Sequence, residues 1–158
     1  MNGSGTAAGF KVVADNRKAR FNYHLEEFFE AGIVLTGGEI KSIRDGGVSL
    51  GESYIVPHKG ELFLINAHIK PYKFDTQTKE EPTRRRKLLM HKREIEKLTG
   101  RVEAKGYTIV PVKLYLKRGR AKLEIALAKG KDIGDKRETT KAREAKREAE
   151  RALKVRHK

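Results

Sequence analysis

The sequence predicts a mainly β protein of the α+β class: a small antiparallel sheet curled into a barrel, short helices packed outside it, and a basic C-terminal tail. Three observations carry this expectation. Apolar residues recur at every second position in residues 107–116 and again in 121–128, the spacing of strands with two unlike faces, and the turn-forming Lys117-Arg118-Gly119-Arg120 lies between them. Helical spacing is confined to short stretches such as residues 92–105. From Gly130 the composition changes: residues 131–158 hold 11 Lys or Arg against 6 Asp or Glu, with almost no large apolar residue before Leu153, so this segment cannot build a core.

Residues 1–15 are rich in small side chains, lack periodicity and are read as a flexible segment. Basic character begins at Arg17, Lys18 and Arg20. Phe21, Tyr23 and Leu25 alternate as a strand with one wet face would. The alternation shifts at Glu26-Glu27, before Phe28-Phe29, which a β-bulge would rationalise. Ile33-Val34-Leu35 reads as a buried strand, and Thr36-Gly37-Gly38 as a turn that uses the positive φ open to glycine. Glu39 to Arg44 then forms a short amphipathic helix, with Ile40 and Ile43 on one side and Lys41 and Arg44 on the other, and Gly46-Gly47 ends it. Strand, glycine corner and basic helix together present charge from a rigid frame.

Residues 53–57 and 61–65 read as two strands, with His58-Lys59-Gly60 as a hairpin-sized connection, and residues 67–72 as an extension of the second. Residues 73–83 are polar apart from Phe74 and read as a loop. Arg84-Arg85-Arg86-Lys87 precedes Leu88-Leu89-Met90. A helix then runs from about Lys92 to Lys105, burying Ile95, Leu98 and Val102, exposing Lys92, Arg93, Lys97, Arg101 and Lys105, and capped by Gly106. Pro111 in the following strand marks an edge or a bulge, because it has no N–H to give a ladder. This makes five or six strands and two or three short helices. The oligonucleotide-binding barrel is the common shape of this kind among nucleic-acid binders. In the tail, Ala142, Ala145, Ala149, Ala152 and Leu153 fall near one helical face; alone such a segment is partly helical at best, and it can fold against a polyanion. The expected domains are residues 1–15 (flexible), 16–130 (barrel) and 131–158 (tail, disordered when free and helical when bound).

The 158 residues include 36 Lys or Arg and 21 Asp or Glu, a formal net charge of +15. Such an excess points first to nucleic acid and second to an anionic membrane surface. There is no cysteine, so disulfides, thiol chemistry and Cys-held zinc are excluded. Residues 1–9 have neither the basic nor the apolar region of a signal peptide, and no apolar run is long enough to span a membrane, which fits a cytoplasmic location. His24, His58, His68, His91 and His157 lack metal-ligand spacing, and no phosphate-binding glycine loop or nucleophile elbow is present. The expectation is a non-enzymatic protein without cofactor or metal.

Several motifs in order resemble a known family: Asn16-Arg17-Lys18-Ala19-Arg20; residues 29–35 (Phe-Glu-Ala-Gly-Ile-Val-Leu); Glu39-Ile40-Lys41-Ser42-Ile43-Arg44; Asp75 followed by Pro82-Thr83-Arg84-Arg85-Arg86-Lys87-Leu88-Leu89; Gly100-Arg101-Val102; residues 106–111; and Ala128-Lys129-Gly130-Lys131 with Asp135-Lys136-Arg137. From Asn16 to the C-terminus the chain resembles the SsrA-binding proteins (small protein B), partners of transfer-messenger RNA (tmRNA). The resemblance implies a monomeric adaptor with an oligonucleotide-binding barrel. Such an adaptor binds the tRNA-like domain of tmRNA and carries it to stalled ribosomes for trans-translation, its tail entering the empty mRNA channel beyond the decoding centre. It implies RNA contacts for Glu30, Leu89 and His91, with Arg17, Lys18, Arg20, Phe21, Lys41, Arg44, Arg84, Arg86 and Lys87 around them. It further implies ribosome contacts for Lys131, Lys136, Arg137, Lys141, Arg143, Lys146 and Arg147. Phe21 stands where the family usually has His, and Asp132 and Gly134 where it commonly has a basic residue and often His. Taken alone, Glu30 reads equally as half of a salt bridge, Leu89 as core and His91 as a helix-start residue. The rival function is a general basic RNA-binding or RNA-chaperone module, or a ribosome-associated one.

Overall fold

A computed structural model describes residues 9–74, 81–131 and 133–156. Its elements are β1 (Phe10–Asp15), α1 (Arg17–Asn22), β2 (Tyr23–Ile33), α2 (Gly37–Arg44), β3 (Val48–Ser49), β4 (Tyr54–His58), β5 (Glu61–Ile65), β6 (His68–Ile69), β7 (Arg86–Leu89), α3 (Lys92–Lys105), β8 (Thr108–Lys117), β9 (Arg120–Gly130) and α4 (Ile133–Arg156). The main sheet runs β1-β8-β4-β5-β7-β2-β9, and β8 also pairs with β9. The circuit of antiparallel ladders from β8 through β4, β5, β7, β2 and β9 therefore returns to β8, the connectivity of a barrel, with β1 added outside. The mainly β, α+β expectation holds.

Period-two alternation builds the interior. Leu123, Ile125 and Leu127 of β9 are buried on one face, with Ile109 and Leu114 of β8, Leu62 and Leu64 of β5, Ile43 of α2, and Ile95 and Leu98 of α3 in the same cluster. A smaller cluster lies on the opposite face of β8 and β9, where Ala19 of α1 covers Val110, Val112, Ala126 and Ala128. Three ladders shift register, the first where β1 meets β8, between Val12 and Ala14. β2 shifts register against β9 between Leu25 and Glu27, the bulge expected there. β8 shifts against β9 between Pro111 and Lys113. Pro111 thus marks a bulge, in an interior strand rather than at an edge. Asn16 docks into it: its backbone N–H donates to Val112 O and its Nδ2 to Pro111 O, both at 2.8 Å, while its Oδ1 accepts from Ala19 N–H and starts α1.

Both expected hairpin turns are two-residue turns with positive φ at each centre, at Lys59-Gly60 (φ 49° and 78°) and Arg118-Gly119 (φ 51° and 80°). α3 has the expected span and ends on Gly106 in the left-handed region.

Several expectations are corrected. Nine strands and four helices are found among the described residues, more than were expected. Residues 10–15 are a strand paired with β8, so the folded unit begins before residue 16; residues 1–8 lie outside the described residues. Phe21 belongs to α1, because the Asn16 cap nucleates a helix where alternation alone read as strand. Ile33 ends β2, and Val34 is 43% exposed, so the 33–35 run is not a buried strand. Thr36 is a helix cap rather than part of a glycine turn: its Oγ1 accepts from Glu39 N–H and the Glu39 carboxylate accepts from Thr36 N–H, so Gly37 and Gly38 open α2. Asn66, at φ 64°, breaks the chain after β5, and His68–Ile69 pair with β3 instead of extending it. Residues 86–89 are a strand joining β5 to β2.

Candidate nucleic-acid interface

Strand parity decides what the barrel displays. On β2, Glu30 and Gly32 face outward, opposite Glu124 and Lys122 of β9. Gly32 is also opposite Leu89 of β7. Crossing β9 to β8, Lys122 stands opposite Tyr115 and Glu124 opposite Lys113. Two cross-strand rows result: Leu89, Gly32, Lys122, Tyr115; and Glu30, Glu124, Lys113. Leu89 is 53% exposed, so it is an outward residue and not core. Phe28, one step along β2 on the same face, is 51% exposed. Leu89 packs closely over Gly32: a Cβ there would lie 3.2 Å from Leu89 Cβ and 3.6 Å from its Cδ1.

Glu30 is tied down. The Tyr115 hydroxyl donates to its Oε2, and Lys117 Nζ lies 3.7 Å from the same oxygen. Tyr115 is nearly buried, with its ring centroid 4.9 Å from that of Phe10. Burial, followed by the neighbouring carboxylates of Glu30 and Glu124, pushes its phenol well above the ordinary range, so it remains a donor. His91 is the exposed first residue of the α3 cap, with its N–H donating to the Glu94 carboxylate at 3.3 Å.

The basic residues fall into groups. Arg17, Lys18 and Arg20 are exposed on α1, which lies on the same outer face of β8 and β9. Arg20 donates to both oxygens of Asp15, at 2.7 and 2.9 Å, and Lys18 pairs with Glu52 beside a polar cleft of 220 Å³ lined by Asn16, Tyr23, Ser53 and Tyr54. Lys41 and Arg44 are exposed on α2, with Lys41 Nζ 5.6 Å from the Tyr72 ring centroid. Lys87 shares the outward side of β7 with Leu89 and lies 3.7 Å from Glu61. These residues can meet phosphates, and the exposed aromatic and aliphatic side chains can meet bases.

Arg86 leaves this set. It alternates with Leu88 on the inner side of β7 and is fully buried, donating through Nε to Glu39 Oε2 at 2.8 Å, through Nη1 to Ala67 O and through Nη2 to Pro82 O at 2.9 Å each. Arg84 is largely turned to the same carboxylate, with Nη2 2.6 Å from Oε1. A run of four basic residues conceals this because period two separates its members only once the strand is known. Arg85, absent from the expected set, is placed over the Phe63 ring at 4.4 Å. Also missed were Gly32, Tyr115 and Lys122. Their alternation was legible, but which outward residues become neighbours depends on the cross-strand register.

The tail is helical over Ile133–Arg156, and Lys131 N–H donates to Asn22 O at 2.8 Å where it leaves the barrel. Arg137, Lys141, Arg143, Lys146 and Arg147 are exposed along it, and the Arg143 guanidinium lies 5.7 Å from the Phe21 ring centroid on α1. Asp132, the Lys136 side chain and Asp75 lie outside the described residues. Among the described residues no helix is long and apolar enough to cross a membrane, and no group of three His, Asp or Glu is placed to hold a metal ion.

A barrel-type antiparallel sheet with a mixed apolar and carboxylate patch, ringed by cations and continued by a basic helix, defines a class of small basic β-barrel proteins with a helical extension. The chain belongs to the SmpB family: the model described as SmpB protein matches residues 13–155. It is 57% identical over 146 residues to the SsrA-binding protein of Shouchella clausii, covering 92% of this chain and 94% of that one. It is 53% identical over 152 residues to the SsrA-binding protein of Trichormus variabilis, covering 96% and 98%. A solved structure described as "tmRNA-SmpB: a journey to the center of the bacterial ribosome" is similar at a TM-score of 0.63 and 46% identity, over 75% of this chain and 84% of that one.

Proposed function

We propose that this chain is a non-enzymatic, cytoplasmic RNA-binding adaptor. Residues 10–130 bind the tRNA-like domain of tmRNA, and residues 131–158 act on the ribosome, entering the empty mRNA channel as a helix, so that tmRNA is delivered to stalled ribosomes for trans-translation. The observation that carries the reading is the outer face where Glu30, Gly32 and Leu89 adjoin Lys122 and Lys87, in a chain more than half identical to proteins named for binding SsrA RNA. Cations there neutralise phosphates, the exposed Leu89 side chain packs against an unstacked base, and Glu30 accepts hydrogen bonds from base donors. The basic face of α4 suits a second stretch of RNA backbone.

The test is binding to tmRNA, an ordinary tRNA and an unrelated hairpin at two salt concentrations, for the whole chain and for a chain ending at Gly130. Selective tight binding kept by the shorter chain is expected, with log affinity falling by roughly 0.7–0.9 per log of salt for each phosphate neutralised. Equal binding to all three RNAs would overturn the reading and leave a general basic RNA binder.

A further inference from the structure

We propose that Tyr115 is a positioning residue for Glu30: its hydroxyl fixes the carboxylate so that Oε1 is presented to the amino edge of an unpaired base lodged against Leu89. The inference deepens the RNA-binding reading of this face and rests on it.

The geometry is asymmetric. The Tyr115 hydroxyl and the Lys117 ammonium both approach Oε2, leaving Oε1 for a ligand. A glutamate side chain is otherwise flexible, and holding it before the ligand arrives removes an ordering cost from binding. Tyr115 is itself held, nearly buried and packed beside Phe10, on the strand that lies two across from Glu30. An ionised carboxylate only accepts hydrogen bonds, so an orientation fixed in this way favours exocyclic amino groups and disfavours carbonyl edges. The neighbouring surface is of the right kind: Leu89 lies over Gly32 and, half exposed, gives an apolar platform, and Glu30 is two residues from Gly32 on the same side of β2. Tyr115 therefore influences which base is accepted without touching it.

A double-mutant cycle tests this with four full-length chains: unaltered, Tyr115→Phe, Glu30→Ala and both together. Tyr115→Phe keeps the ring beside Phe10 and removes only the hydroxyl. Affinity is measured for tmRNA and for an unrelated hairpin, with thermal melts to verify folding. Each single change should weaken tmRNA binding about tenfold, the scale of one hydrogen bond to a charged group. The double variant should be no weaker than Glu30→Ala, and hairpin binding should not move. The proposal is overturned if Tyr115→Phe binds as the unaltered chain does, or if the two losses multiply in the double variant. A Glu30→Ala chain that binds normally would remove both the proposal and the role of Glu30, whereas loss of tmRNA preference in the unaltered chain would remove the RNA reading itself.

Discussion

The Arg86 guanidinium is fully buried with its Nη2 2.7 Å from Glu39 Oε2, which ties β7 to α2 through the interior. Arg84 closes on the other oxygen of the same carboxylate. Two cations sharing one nearly buried carboxylate hold together the strand that carries Leu89 and the helix that carries Lys41 and Arg44. A pair of this kind is costly to break, because the surviving partner is left charged and desolvated.

Replacing Arg86 by Met is expected to lower stability by about 3–5 kcal/mol, whereas Arg85→Ala, which removes only an exposed stack on Phe63, should cost under about 1 kcal/mol. Urea midpoints at unchanged slope would check this, and equal losses for the two variants would refute the assignment of Arg86 to the interior.

The same carboxylate gives a pH dependence. Burial alone raises the Glu39 pKa, but hydrogen bonds from Arg84, the Thr36 N–H and Arg86, with the charge of Arg86, hold it below its usual 4.5. A carboxyl that is more acidic when folded stabilises the fold above its unfolded pKa and loses that contribution as pH falls through the lowered value. Stability from this group should be steady down to about pH 5 and fall below it. Urea unfolding across pH should show a shallower acid limb for Glu39→Gln than for the unaltered chain.

Thr36→Ala removes the cap that starts α2 and should cost about 1 kcal/mol. Thr36→Ser keeps the acceptor and should restore most of it, which distinguishes the cap from a packing effect.

Gly32→Ala should destabilise the fold by about 1–3 kcal/mol, because the new methyl meets Leu89 Cβ at 3.2 Å, an atom fixed to the β7 backbone that no rotamer change can move. It should also weaken tmRNA binding by displacing Leu89 from its place on the outer face. Unchanged affinity would show that the position of Leu89 over Gly32 does not matter to the RNA.

Ending the chain at Gly130 should leave the barrel folded, at the loss of about 1 kcal/mol for the Lys131 N–H to Asn22 bond. RNA binding should persist while tagging on stalled ribosomes is abolished. Loss of both would mean that the tail is part of the RNA face.

Much of this was legible in the residues. Alternation located β8 and β9, helical spacing and Gly106 located α3, Gly46 ended α2, and the Glu26 irregularity marked a real bulge. The short β7 was missed because residues 84–90 read as a charge run followed by an apolar run. The helix of α1 was missed because its start depends on Asn16 anchoring to Pro111 and Val112, 95 and more residues away in sequence. Leu89 and His91 read in isolation as core and cap; one proved to be surface and the other is indeed a cap.

The β-rich class, the basic tail and, through ordered motifs, the family can be read from the order of residues alone. These are local or cumulative signals: period two, charge composition, and turn residues whose φ preferences act wherever the chain runs. That Arg86 points inward, that Leu89 points outward beside Gly32, and that Tyr115 reaches Glu30 emerges when the strands assemble. Those outcomes depend on cross-strand register and barrel closure, which bring together residues up to 85 positions apart and which no local pattern encodes.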